Sequence, residues 1–137
     1  MDMICHNGQW IVLECATRLS GGFDHMVTSP LATGRDVTKA MLDVALGGRP
    51  LLKDLSIKKN GYACAFAPIL TAGHVAEWNL PEKLPGQHDI IITDRKQIYD
   101  WKHCANRTVF VIATGDTGFG ALKNAVRIGK GITVEYS

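Results

Sequence analysis

The stretch DMICHNGQWIVLECATR, residues 2–18, decides how this sequence is read. Two apolar runs, Asp2 to His6 and Trp10 to Cys15, flank Asn7-Gly8, the dipeptide that two-residue hairpin turns prefer, so a β-hairpin is expected. The second run ends on the carboxylate of Glu14, with Arg18 four positions on and the double glycine Gly21-Gly22 behind it. A strand that only fills a core has no need of such an end. The loop class decides what the end can do. A two-residue turn pairs Asp2 with Leu13 and leaves Glu14 on the opposite face. A three-residue loop or a bulge pairs His6 with Trp10, Ile4 with Val12 and Asp2 with Glu14, bringing the two carboxylates together. The sequence leaves both registers open.

Asp2, Glu14 and Arg18 are the candidate site residues. Magnesium takes hard oxygen ligands and is commonly held by one or two carboxylates together with substrate phosphates. An arginine from the same strand end offsets charge on a phosphoryl group. The glycines at 21 and 22 would let backbone approach a ligand closely. Read blandly, Asp2 is a solvated terminal acid, Glu14 and Arg18 form a surface ion pair worth about 0 to 1 kcal/mol, and the double glycine is a turn.

The rest of the chain bounds the answer. At 137 residues it suits one domain with a real core, but is short for a multi-substrate enzyme carrying its own nucleotide site. A formal charge of +2 without a basic run gives no electrostatic ground for nucleic acid. No run reaches the about 18 to 20 apolar residues of a membrane span, and the stretch MDMICHNG lacks the basic end and apolar stretch of a signal peptide, so a cytoplasmic protein without a membrane is expected. Cys5, Cys15, Cys64 and Cys104 form no C-x-x-C pair; reduced, mostly buried thiols are expected, and His103-Cys104 is a weak catalytic pair because adjacent side chains diverge.

Residues 16–34 lack sustained periodicity and read as a long loop that has room for a short helical turn. Thr33 and Asp36 resemble a capping box for a helix with Val37, Met41 and Val44 on one face, stopped by Gly47-Gly48. Tyr62 to Leu70 and His74 to Trp78 read as two strands around a turn, followed by strands at His88 to Thr93 and Thr108 to Thr114. Asp116 is the expected cap of a last helix with Phe119, Leu122 and Val126 on one face, and Ile132 to Tyr136 closes as a strand. The layout is α+β with mainly antiparallel strands, and its boundary falls near residues 48–60.

The series from Asp2 to Leu51 resembles the last third of an ATP-grasp domain, the fold of biotin carboxylase and of the large subunit of carbamoyl-phosphate synthetase. In that family a hairpin supplies an acidic residue and, twelve positions later, a glutamate opening Glu-x-Asn-x-Arg; a loop then leads to an A-T-G or I-T-G turn and a helix ending in glycine. Asp2 and Glu14 have that separation, Arg18 fills the arginine position, and Ala32-Thr33-Gly34 with the helix through Leu46-Gly47 completes the order. From Gly61 onward the chain resembles, more loosely, the α+β subdomain that follows the grasp in biotin-carboxylase-like members. The division implied is 1–50 for the end of the ATP-grasp domain and 51–137 for the C-terminal subdomain.

The resemblance implies a ligase that phosphorylates a carboxylate or bicarbonate with ATP and passes the acyl phosphate to an amine or another nucleophile, as carbamoyl-phosphate synthetase does. Asp2 and Glu14 would hold Mg2+ bridging the ATP phosphates, and Arg18 would contact the phosphoryl group or the acid. Ala16 stands where the family has asparagine and offers no oxygen to a second metal. The loop Ser20 to His25 also departs from the biotin carboxylase version; Asp24 and His25 are either substrate contacts or parts of a solvated loop. The family's lysines, glycine-rich phosphate loop and adenine linker lie upstream of this segment, so missing N-terminal ATP-grasp lobes are the expected partner and the chain alone is expected to be catalytically incomplete. The surface those lobes would cover predicts a homo-oligomer. A stand-alone binding or oligomerisation domain that has lost catalysis is the alternative.

Overall fold

The computed structural model describes residues 2–137. The chain opens with β1 (Asp2–His6) and β2 (Gln9–Glu14), paired antiparallel as a hairpin of their own. A π-helical turn at Asp24–Thr28 runs into α1 (Ser29–Thr33), followed by α2 (Val37–Ala45) and the single turn α3 (Leu52–Leu55). The second half carries β3 (Tyr62–Phe66), β4 (Gly73–Asn79), β5 (Gln87–Ile92), β6 (Gln97–Ile98), β7 (Val109–Gly115), α4 (Gly118–Lys130) and β8 (Thr133–Tyr136), with a 3-10 turn at Cys104–Asn106. All pairings are antiparallel: β3-β7-β5 form one sheet and β6-β4-β8 another. The fold class is α+β, as expected.

The core is built on β7. Val109, Val111 and Ala113 are buried against Ala125 and Ile128 of α4 and against Ile132. On a strand, alternate residues face opposite ways. Phe110 therefore faces away from α4, where Phe23 meets it edge to face with ring centroids 4.9 Å apart. Phe23 holds a left-handed backbone, φ 69°, which is rare for a bulky residue and is sustained here by the ring contact that it permits. The loop after the hairpin is thereby fastened to the central strand.

Several sequence expectations are corrected. Residues 24–33 are helical rather than loop, and Thr33 ends α1 instead of capping the next helix. The cap of α2 is Asp36, whose carboxylate accepts the Lys39 N–H at 2.8 Å. The cap of α4 is Thr117, not Asp116, because the Thr117 hydroxyl accepts the Gly120 N–H at 2.9 Å. The face that α4 buries is Ala121, Ala125 and Ile128, while Phe119 and Leu122 are exposed: small side chains let the helix approach β7 closely. In α2 the apolar stripe expected to face inward leaves Met41 and Val44 exposed, and Ala40 is the buried residue. Tyr62–Phe66 and Gly73–Asn79 do not pair with each other but belong to different sheets. Cys5, Cys15 and Cys104 are exposed and Cys64 half-buried, so the thiols are free but not buried; Cys5 and Cys15 stand on or beside a hairpin with no cover.

The segment after α2 is tied back to what precedes it. Lys39 Nζ lies 2.6 Å from Asp43 Oδ2 and 3.1 Å from Asp54 Oδ2, and these two carboxylates raise the lysine pKa above its ordinary value. The N–H groups of Lys58 and Gly61 donate to Thr33 O and Ala32 O, each at 2.8 Å. Among the described residues no helix is long and apolar enough to cross a membrane.

If the Phe23 ring is the fastening, Phe23→Ala lowers the free energy of unfolding by about 2 kcal/mol, below the about 3 to 5 kcal/mol of a fully buried aromatic because the side chain is half-buried. Urea denaturation measures this. Phe23→Ala and Phe110→Ala combined should cost less than the sum of the two single changes, because they share one contact.

Candidate functional site

The hairpin combines features of both registers left open by the sequence. Its turn has two residues, Asn7 at φ 50° and Gly8 at φ 76°, the pair of positive angles that a type I′ turn requires. His6 pairs with Gln9, Cys5 with Trp10, Ile4 with Ile11 and Met3 with Val12, so the Ile4–Val12 and His6–Trp10 pairs expected of a longer loop do not form. The ladder then shifts, and Asp2 pairs with Glu14. Leu13 is the extra residue of a β-bulge at the open end of the hairpin. Without that bulge a regular ladder from this turn would set Leu13 opposite Asp2 and put Glu14 on the other face. One inserted residue therefore brings the two carboxylates together.

The chain then bends so that Arg18 shares a depression of about 120 Å³ with them, lined by Asp2, Glu14, Ala16, Arg18 and Ser20. Arg18 Nη1 donates to Leu19 O at 3.2 Å, which leaves the other face of the guanidinium fork available. The loop beneath is locked by its own polar groups. Asp24 receives the Ser20 hydroxyl at 2.7 Å and the Thr28 hydroxyl at 2.8 Å, and His25 Nδ1 meets Ser20 O. Asp24 and His25 are thus engaged within the loop, and Ser20 is the additional lining residue that pattern reading did not single out. Gly22, at φ 71°, sits where a side chain would approach Arg107, while Gly21 has open space beside it.

Two carboxylates on one face are hard oxygen donors of the kind magnesium takes. Among the described residues no group of three or more His, Cys, Asp or Glu comes together, so the remaining positions of an octahedral ion would fall to phosphate oxygens and water. Ala16 lines the depression and contributes no donor. The donor set fits an ion shared with a phosphate-bearing substrate and does not fit a closed protein cage.

Like charges placed directly opposite on a hairpin oppose its formation, by about 0.2 to 1 kcal/mol. Glu14→Gln should therefore slow amide exchange across the hairpin roughly twofold in magnesium-free buffer, and millimolar magnesium should narrow the difference. Equal exchange in both proteins under both conditions would contradict this reading of the pair.

No family model matches the sequence, and no curated protein matches it. Among solved structures the fold is similar to that of phosphoribosylglycinamide synthetase from Anaerococcus prevotii, with a TM-score of 0.79 at 16% identity, over 98% of this chain. The chain spans 36% of the length of that protein. At this identity the likeness is one of fold alone, and the fold of the chain is ATP-grasp-like.

Proposed function

We propose that the chain supplies the magnesium- and phosphate-contacting hairpin of an ATP-dependent carboxylate ligase of the ATP-grasp type. The observation that carries this reading is the pairing of Asp2 with Glu14 across the Leu13 bulge, with Arg18 in the same depression. Asp2 and Glu14 would hold magnesium and Arg18 would offset charge on the phosphoryl group or bind the acidic substrate. Magnesium, when bound, supplies charge neutralisation on the phosphate oxygens. The reaction class is phosphorylation of a carboxylate or bicarbonate by ATP, followed by attack of an amine or another nucleophile on the acyl phosphate, as in carbamoyl-phosphate synthetase.

We further propose that the site is completed by ATP-grasp lobes outside this chain. Both faces of the hairpin carry exposed apolar side chains: Ile4 and Ile11 on one, Trp10 and Val12 on the other. A two-stranded hairpin is marginal in water by itself, and apolar surface on both sides calls for cover. Calorimetric titration of magnesium-ATP into the chain, alone and joined to such lobes, tests the reading. Glu14→Ala or Arg18→Ala should weaken binding about tenfold, the size expected for losing a charge-assisted contact. Binding that is indifferent to both substitutions would place the nucleotide elsewhere and overturn the assignment.

The same uncovered surface supports a second reading, a non-catalytic domain of this fold that associates with itself, and Ala16 favours it by removing a metal donor. In that case the chain is a homo-oligomer whose dissociation on dilution is visible in light scattering. A monodisperse monomer at dilute and concentrated protein would exclude it.

A further inference from the structure

A second depression, of about 460 Å³, shares no residue with the hairpin site and is lined by Gly34, Arg35, Asp36 and Lys58, with Met26 and Pro30 among its apolar lining. It holds two cations against one carboxylate. That carboxylate is engaged, since Asp36 Oδ1 accepts the Lys39 N–H as the cap of α2. The ion pairs among the described residues are Lys39 with Asp43 and Lys39 with Asp54, so neither Arg35 nor Lys58 has a carboxylate partner. Arg35 is half-buried, and its Nε is buried without a hydrogen-bond acceptor. A partly desolvated guanidinium with no counter-charge is costly, and folded proteins supply such a group with a partner.

The backbone holds the two cations in place. Arg35 N donates to the Thr33 hydroxyl at 3.2 Å, and Lys58 N donates to Thr33 O at 2.8 Å. Gly34, at φ 71°, ends α1 in the left-handed conformation, and a Cβ there would lie 2.9 Å from Lys58 Cβ. The bare backbone at position 34 is what admits the Lys58 stem to this depression. The resulting pair combines a planar guanidinium, suited to two oxygens at once, with a compact ammonium, and two positive charges match a dianion better than a single carboxylate.

We propose that this depression is a phosphate-binding site, held by Arg35 and Lys58, for the phosphate group of a small molecule or for free phosphate. The test titrates the isotope-labelled chain with inorganic phosphate, methyl phosphate and acetate in low-chloride buffer, following the amide signals of Arg35, Asp36, Thr38 and Lys58. Saturable shifts with the two phosphates and none of comparable affinity with acetate are expected. Binding of methyl phosphate should strengthen as the ester takes its second charge, near a pKa of about 6. Arg35→Gln and Lys58→Gln should each weaken binding about tenfold. Arg35→Lys, which keeps charge but loses the fork, should also weaken it, while Lys123→Gln, on the exposed side of α4, should leave it unchanged.

Methyl phosphate binding at least as tightly as inorganic phosphate identifies an ester ligand; preference for inorganic phosphate identifies the free ion. The proposal is overturned by the absence of saturable shifts, by acetate binding as tightly as phosphate, or by equal weakening in Lys123→Gln. Should Arg35→Gln fail to fold, Lys58→Gln and the pH dependence in the unaltered chain decide the question. The outcome is separate from that of the magnesium-ATP titration, because these probes contain no nucleotide and the variants leave the hairpin intact.

Discussion

The core of this structure depends on β7 being covered on both faces. It is the central strand of its sheet, and Val111, Ile112 and Ala113 have no exposure to solvent. One face is closed by α4, which comes near because Ala121 and Ala125 are small. The other is met by Phe23, from the loop that follows the hairpin. Burying that face therefore draws residues 16–28 toward the sheet and determines where the strand end carrying Glu14 emerges.

The hairpin is governed by a different constraint, the parity of side chains along a strand. Asn7-Gly8 imposes a two-residue turn, and from such a turn a regular ladder would separate Asp2 from Glu14. Leu13 restores their pairing by adding one residue to one strand. The arrangement costs stability, since it sets two carboxylates opposite each other and leaves apolar side chains uncovered on both faces. Local features that lower stability and still persist are expected at sites that handle a ligand.

Much of the fold was legible in the sequence, for reasons that can be named. Asn7-Gly8, the continuous apolar run of β7, and Gly47-Gly48 after α2 are local signals whose physics acts within a few residues. The misreadings share one cause, which is that competing local signals are decided by packing. Thr33 and Asp36 both resemble caps, and only the end of α1 at Gly34 assigns Thr33 to the earlier helix. Phe119 and Leu122 look like a buried face until β7 selects the small residues instead. Strands β3 and β4 adjoin in sequence yet part because β3 finds its partner in β7.

The sequence by itself determined the α+β class, the hairpin, and the residue types at its end: two acids, an arginine and an alanine, in an order that resembles the ATP-grasp series. Those are properties of composition and spacing, which the chain carries before it folds. Only the tertiary structure decided that Asp2 and Glu14 share a face, because a bulge is a matter of hydrogen-bond register between strands. It alone set Arg35 and Lys58 on one depression, since residues so far apart in sequence meet only when the segment after α2 bonds back to the end of α1.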